Sequence, residues 1–162
     1  MAAARLADGF TAVKFDPAGP YTVYDGRMPD QEALTRSADF CREIRTAVGD
    51  RADLLFGTHG QFTAAGALRL AERIAPFDPL WFEEPCPPDM PEEMAKVAAG
   101  TSIPVATGER LCSKFEFARV LQTGAAAILQ PNLGRAGGIL EGKKIAAMAE
   151  AHYVQILSLI HI

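Results

Sequence analysis

The stretch that most constrains the fold is the short run PLWFEEP, which begins at Pro79. An apolar run of this length between prolines is typical of a strand that is buried on both faces. In a parallel α/β sheet, the functional groups lie just beyond the carboxyl ends of the strands. Glu83 therefore stands where a metal ligand or an acid–base group is expected. The alternative is that Glu83 and Glu84 only begin a solvated loop, and the run alone does not decide between the two.

A second acid follows at a similar interval. The run IPVATGER contains Glu109, which comes 26 residues after Glu83. One strand–helix unit of an eight-fold barrel takes about 30 residues, so the interval predicts that the two acids lie at matching heights on neighbouring parallel strands. The same interval counted backwards reaches Gly57 in the run LLFGTHG. His59 follows two residues later, and strand alternation predicts that it faces the same side as position 57.

The whole chain alternates between strand and helix patterns. Strands are predicted near 10–15, 53–58, 80–83, 104–107, 126–130 and 153–156, and helices over 31–48, 64–75, 91–99, 114–124 and 139–151. Asp30, Thr63 and the pair Ser113 and Glu116 are predicted to cap three of these helices. Strict alternation with short loops predicts an α/β fold with a parallel sheet. No glycine-rich phosphate loop follows the first strand, and the acids at strand ends favour a partial (β/α)8 TIM-type barrel of about six units over a doubly wound sheet.

Charge and cysteine content exclude several classes of partner. The formal net charge is −4, with acids and bases interspersed, and no basic run predicts binding to nucleic acid or to a membrane surface. The three cysteines form neither a disulfide framework nor a CxxC zinc site, which predicts reduced thiols in the cytoplasm. No signal peptide and no apolar stretch of about 18 residues is present.

Three motifs at these intervals resemble the enolase superfamily, in its mandelate racemase/muconate lactonizing enzyme and sugar-acid dehydratase branch. They are WFEEP at 81–85, ATGER at 106–110 and ILQPNLGRAGG at 128–138. The pattern is most similar to galactonate dehydratases, which carry a histidine where His59 stands. The resemblance implies a barrel with a separate N-terminal capping domain, and we expect that domain to be absent from this chain. It also implies a Mg²⁺ ion, an enediolate intermediate, a small sugar acid as substrate and a homo-oligomeric parent protein.

The resemblance also implies the metal ligands. Removal of a proton next to a carboxylate creates a second negative charge, and a divalent cation held by carboxylates stabilises both oxygens of that dianion. In the family, three acids at strand ends hold Mg²⁺. Glu83 and Glu109 match two of them, and Gly57 stands where the third, an aspartate, is expected. The hypothesis is that His59 or Asp16 compensates, or that the metal is bound weakly.

Further roles follow from the resemblance. His59 matches the general acid that protonates a departing hydroxyl, and its alternative is a histidine that is hydrogen-bonded at a strand end. Lys14 and Asp16 are predicted to face one side and to bind substrate oxygens, with Lys14 also a catalytic candidate; the alternative is an ion pair between them. Lys14-x-Asp16 is not the Lys-x-Lys pair of racemases. Asn132 stands where relatives place an aspartate that orients a catalytic histidine, and its alternative is a loop residue.

Other residues near these positions are expected to have structural roles or to contact the substrate. Glu84 and Arg110 are expected to point away from the metal and to be structural. Tyr21, Tyr24 and Arg27 lie in a long loop and are candidate substrate contacts.

The ends of the sequence predict a fragment. Residues 1–156 are interpreted as part of the barrel, and residues 157–162 (LSLIHI) match a translated sequencing-library adapter and are interpreted as a scar; a genuine buried strand is the alternative. In relatives the strand at 153–156 continues into Ala-Pro-His, whose histidine is the base. The parent is therefore predicted to be a lyase that dehydrates a sugar acid, and this chain to be inactive. A racemase or cycloisomerase of the superfamily, or a non-catalytic binding relative, stays open.

Overall fold

The computed structural model of the chain describes residues 2–18 and 28–158. Six parallel strands form one sheet in the order β1–β2–β3–β4–β5–β6. The strands are β1 Ala12–Phe15, β2 Asp53–Gly57, β3 Pro79–Glu83, β4 Val105–Thr107, β5 Ile128–Leu129 and β6 Gln155–Ile156. The helices are α1 Ala2–Ala7, α2 Gln31–Val48, α3 Ala64–Ile74, α4 Pro91–Gly100, α5 Lys114–Thr123 and α6 Gly138–Ala151. Consecutive strands are neighbours throughout, which confirms the prediction of a partial barrel whose sheet is not closed.

Local sequence signals set where the helices begin. The side chain of Asp30 accepts a hydrogen bond from the backbone N–H of Ala33 at 2.8 Å, and that of Thr63 accepts one from Gly66 at 3.1 Å. Ser113 and Glu116 form the predicted reciprocal capping box. Each cap satisfies N–H groups that the first helical turn leaves without an intrahelical partner. The predicted starts of α2, α3 and α5 are therefore confirmed.

The two faces of the sheet are packed differently. The outer face carries the large core, in which buried side chains from β2 to β5 such as Phe56, Phe82 and Leu129 pack against the helices. The inner face carries a small apolar cluster of Leu55, Trp81, Ala106 and Ile128, with Leu157 packed against it. Because side chains alternate along a strand, the residues in register with this cluster face the same inner space.

Strand lengths differ from the prediction. β5 and β6 have two residues each, where 126–130 and 153–156 were predicted. Leu157 continues the pairing beyond β6, since its N–H donates to the carbonyl of Leu129 at 2.8 Å. In the described parts of the chain, no helix combines the length and the apolar character that crossing a membrane requires.

Candidate functional site

A buried carboxylate, Glu83, lies at the centre of the inner face, where β3 ends. Its side chain is 2% exposed. One oxygen, Oε1, lies 2.7 Å from the ammonium Nζ of Lys14 on β1. The other, Oε2, accepts hydrogen bonds from Nε1 of Trp81 at 3.2 Å and from Nε2 of Gln130 at 3.0 Å. Three N–H donors from β1, β3 and the segment after β5 therefore fix this carboxylate, and one of them is a cation.

Gly57 is the neighbour of Glu83 on β2, as the sequence interval predicted. The two residues are register partners in the parallel pair of β2 and β3. A Cβ atom added at Gly57 would lie 3.1 Å from Cε of Lys14 and 3.9 Å from Oε1 of Glu83. The stem of Lys14 therefore crosses the space that a side chain at position 57 would fill.

The prediction that Glu109 lies at the height of Glu83 is wrong. The register partner of Glu83 on β4 is Ala106, and β4 ends at Thr107. Glu109 lies in the turn beyond the strand, because Gly108 takes a φ of +138° that only glycine adopts readily and so ends the extended backbone. Equal spacing in the sequence did not give equal height, because the chain from Glu83 to its register partner Ala106 is shorter than the chain from Gly57 to Glu83.

The residues of the inner face do not fit the three-carboxylate Mg²⁺ site that the resemblance implies. Mg²⁺ takes oxygen ligands in near-octahedral geometry. Glu83 already accepts hydrogen bonds from an ammonium and from two further N–H groups. Gly57 has no side-chain oxygen to bind a metal, and Glu109 does not lie at the height of Glu83 in the sheet. Over the described ranges, no cluster of three or more His, Cys, Asp or Glu side chains has the arrangement of a metal site. No chemical step is therefore assigned to a metal ion.

A second buried carboxylate, Glu84, is bound to Arg110. Nε and Nη2 of Arg110 each lie 2.9 Å from Oε2 of Glu84, and Nη2 also donates to the backbone carbonyl of His59 at 3.0 Å. Burial raises the pKa of Glu84 to about 7, although the hydrogen bond and charge of Arg110 act in the opposite direction. A Cβ atom at Gly60 would lie 2.1 Å from Nη2 of Arg110, so glycine at position 60 leaves room for the guanidinium. Arg110 thus ties together the turns that follow β2, β3 and β4.

Thr58 holds the same turns through the backbone. Its side chain is fully buried, and its hydroxyl lies 3.1 Å from the carbonyls of both Glu83 and Glu84. The N–H of Thr58 donates to the carbonyl of Glu83, and that of Gly60 donates to the carbonyl of Glu84. These bonds fix the backbone on either side of His59.

His59 lies beyond the end of β2 in a left-handed conformation, with a φ of +52°. Because the strand ends at Gly57, the alternation on which its predicted direction was based does not extend to His59. The side chain is half-buried at the carboxyl edge of the sheet, one turn from the Glu84–Arg110 pair. The general-acid role of His59 stays a prediction.

The remaining predicted site residues take part in local turns. Oδ1 of Asp16 accepts a hydrogen bond from the N–H of Ala18 at 2.8 Å, and Oδ1 of Asn132 accepts one from the N–H of Gly134 at 3.0 Å. The catalytic role of Asn132 and the substrate-binding role of Asp16 stay predictions. Three candidate substrate contacts lie outside the described residues: Tyr21, Tyr24 and Arg27.

Two partners of Glu83 were missed in the sequence. Trp81 was noted only as part of the buried strand, yet it lies two residues before Glu83 and so faces the same side. Gln130 was noted only as part of a motif, although a fully buried polar residue directly after the apolar pair of β5 needs a hydrogen-bonding partner. In both cases the signal in the sequence is a polar group near the carboxyl end of a strand, at a position that alternation places on the inner face.

An open parallel sheet with helices between its strands, and charged side chains gathered at its carboxyl edge, is the arrangement of a partial TIM-type barrel. The family model described as "Enolase C-terminal domain-like" matches residues 1–160. The chain belongs to this family.

Comparison with individual proteins gives more detail. D-galactonate dehydratase from Ralstonia nicotianae (strain ATCC BAA-1114 / GMI1000) is 41% identical over 153 residues, which cover 94% of this chain and 39% of that protein. The structure of a mandelate racemase/muconate lactonizing enzyme-like protein from Roseovarius sp. TM1035 is 64% identical, with a TM-score of 0.92 over 96% of this chain and 39% of that chain. An enolase from Agrobacterium radiobacter, bound to Na and L-malate, is 34% identical with a TM-score of 0.84, over 96% of this chain and 39% of that one. The chain thus spans well under half the length of these relatives.

Proposed function

We propose that the protein to which this chain belongs is a hydro-lyase that removes water from a sugar acid and yields a 2-keto-3-deoxy acid. The observation that carries the proposal is the similarity to D-galactonate dehydratases over 94% of the chain. The relative from Agrobacterium radiobacter binds L-malate, which is a small hydroxy acid. That ligand is consistent with a site for hydroxy acids in proteins of this fold.

The reaction divides into proton removal and loss of hydroxide. A base removes the proton on the carbon next to the carboxylate, and the electron pair forms a double bond to the neighbouring carbon. The hydroxyl on that neighbour leaves with a proton from His59 as water, and the enol then becomes the keto acid. General-acid assistance of this kind contributes about 10²- to 10⁴-fold in rate.

Lys14 is assigned the substrate carboxylate. One of its three ammonium N–H groups donates to Glu83, and the other two can donate to a substrate carboxylate. About a third of the side chain is exposed, at 34%, so an incoming carboxylate reaches it. Lys14 then offsets part of the second negative charge that develops when the proton is removed.

Three predictions from the sequence concern the metal ion, the location in the cell and the oligomeric state. Binding of Mg²⁺ by Glu83 and Glu109 stays a prediction, and the positions of the side-chain oxygens on the inner face do not fit it. Cytoplasmic location and a homo-oligomeric state also stay predictions.

The test is product analysis with the longest gene product that carries this chain. It is incubated with a panel of aldonates and aldarates in D₂O, and NMR follows both the keto acid and the exchange of the proton next to the carboxylate. A 2-keto-3-deoxy acid supports the proposal. Exchange without keto acid identifies a racemase or cycloisomerase, and substrate binding without exchange identifies a binding protein.

A matched pair of variants tests the general acid. His59→Asn is expected to lower the rate of keto acid formation by at least about 10²-fold. His152→Asn, at the exposed end of α6, is expected to keep the rate of the unaltered protein. Equal rates for the two variants would remove His59 from the mechanism.

A further inference from the structure

We propose that Lys14 supplies the resident cation of Glu83 in place of a divalent metal, and that Gly57 is the residue that makes this arrangement fit. The proposal shares its site with the proposed function, but it rests on that function only for the location. It concerns what neutralises Glu83 when no substrate is present, and it holds for any of the alternative reactions.

Glu83 already accepts three N–H donors, one of which is a cation. Oε1 receives the ammonium of Lys14, and Oε2 receives the N–H groups of Trp81 and Gln130. A Mg²⁺ ion binds a carboxylate oxygen at about 2.0–2.1 Å. An ammonium at 2.7 Å from the same carboxylate repels a dication there, and the repulsion is strong because Glu83 is buried and poorly screened by water. Lys14 and a metal ion therefore compete for Glu83.

The stem of Lys14 passes close to Gly57. These residues lie on adjacent strands, since Lys14 pairs with Leu55, two residues before Gly57. A Cβ atom at position 57 would lie 3.1 Å from Cε and 3.9 Å from Nζ of Lys14. A carboxylate at position 57 would extend beyond that Cβ, towards the place that the ammonium takes. An aspartate there therefore requires the lysine stem to shift from its observed position, whereas glycine does not.

Lys14 also balances the charge of Glu83. The ammonium and the carboxylate together carry no net charge, so Glu83 is neutralised on the inner face without a metal ion. Gly57 adds neither a charge nor an oxygen ligand there.

The test uses the only tryptophan of the chain. Because Nε1 of Trp81 donates to Glu83, the fluorescence of the Trp81 indole reports on any ion that binds this carboxylate. The full chain is titrated with Mn²⁺, which quenches nearby fluorophores, and electron paramagnetic resonance measures the free ion in the same samples. The unaltered chain is expected to show no saturable quenching and no bound Mn²⁺ at millimolar concentration.

Variants then reverse the arrangement. Lys14→Met removes the cation and keeps the length of the stem, and the double variant Gly57→Asp/Lys14→Met adds the missing carboxylate. The double variant is expected to bind Mn²⁺ at least about tenfold more tightly than the unaltered chain, with quenching of Trp81. Lys144→Met on the surface of α6 is the control and is expected to behave as the unaltered chain. Saturable binding to the unaltered chain that equals the double variant would overturn the proposal.

A second measurement needs no variant and so does not depend on their folding. Amine-reactive footprinting with mass spectrometry compares the labelling of Lys14 with that of exposed Lys143, with and without Mg²⁺. Unchanged relative labelling is expected, whereas a rise at Lys14 on addition of Mg²⁺ would mean that the ion displaces it and would also overturn the proposal. No substrate is used in either experiment, so failure of the dehydratase proposal leaves these outcomes unaffected.

Discussion

Nη2 of Arg110 donates a hydrogen bond of 3.0 Å to the backbone carbonyl of His59, across 51 residues of sequence. The bond joins the turn after β4 to the turn after β2, and the same guanidinium holds Glu84 after β3. The backbone of the candidate general acid is therefore fixed by a buried ion pair, and its left-handed conformation is held in place by contacts outside its own strand.

Glycine at position 60 is expected to be essential for this ion pair. In Gly60→Ala the new Cβ would meet Nη2 of Arg110 at 2.1 Å and the Cα of Pro87 at 3.0 Å, so Nη2 has to move away and the pair with Glu84 is disrupted. Breaking a buried pair costs about 3–5 kcal/mol, in addition to about 1 kcal/mol of backbone strain. Gly124→Ala is the matched control, because Gly124 has a similar φ of +67° and no atom within 4 Å of its added Cβ. Urea denaturation of both variants measures the difference, and equal losses of stability would contradict the role of Gly60.

Burial of Glu84 predicts a pH-dependent stability. Its pKa is about 7 in the folded chain, against 4.5 for an ordinary glutamate, so the folded state binds more protons between these values. The free energy of unfolding is therefore expected to be higher near pH 5 and to fall as the pH rises through 7, by at most about 3 kcal/mol. The side chain of the Glu84→Gln variant does not ionise, so its free energy of unfolding is expected to lack this dependence on pH. Parallel denaturation curves over the pH range compare the two, and an identical pH dependence would show that Glu84 is ionised throughout.

The hydroxyl of Thr58 is expected to contribute to the stability of the carboxyl edge. Thr58→Val keeps the shape of the side chain but removes the donor to the carbonyls of Glu83 and Glu84. A loss of about 1–2 kcal/mol in the free energy of unfolding is expected. Thr35→Val on the exposed face of α2 removes a hydroxyl that bonds to the carbonyl of Gln31, and a change within about 0.5 kcal/mol is expected there. A similar loss for both variants would mean that the buried bonds have no special weight.

Thiol reactivity is expected to distinguish the three cysteines. Cys41 and Cys86 are buried, and burial raises the pKa of each thiol to about 12, whereas Cys112 is exposed. Because the thiolate is the reactive form, only Cys112 is expected to react quickly with a disulfide reagent near pH 8 in the folded chain. All three thiols are expected to react in denaturant, and Cys112→Ser is expected to abolish the fast reaction. Rapid labelling of a second thiol in the folded variant would show that the core opens.

The sequence was sufficient for the elements that local chemistry determines. The caps at Asp30, Thr63 and Ser113 and the alternation of strands with helices follow from residues close to one another, and these predictions are confirmed. The register of Gly57 with Glu83 also followed from spacing, because both strands are five residues long and enter the sheet at similar points.

The height of Glu109 and the role of Lys14 depended on tertiary structure. Spacing could not show that β4 stops at Thr107, because the turn at Gly108 depends on the close approach of Gln130, whose backbone N would lie 2.9 Å from a Cβ at that glycine. Lys14 and Glu83 are 69 residues apart, and no local pattern connects a lysine on the first strand with a carboxylate on the third. The sequence showed that an acid was missing at position 57 but could not show that a lysine stem fills the space.

The missing side chain at position 57 also limits the order in which this site can evolve. An aspartate introduced while lysine is present at position 14 forces the lysine stem to shift, and a neutral residue introduced first at position 14 leaves Glu83 buried without its cation. Each single substitution therefore passes through a less stable intermediate, so the effects of the two positions are epistatic. Among related sequences, those with glycine at position 57 are expected to keep lysine at position 14.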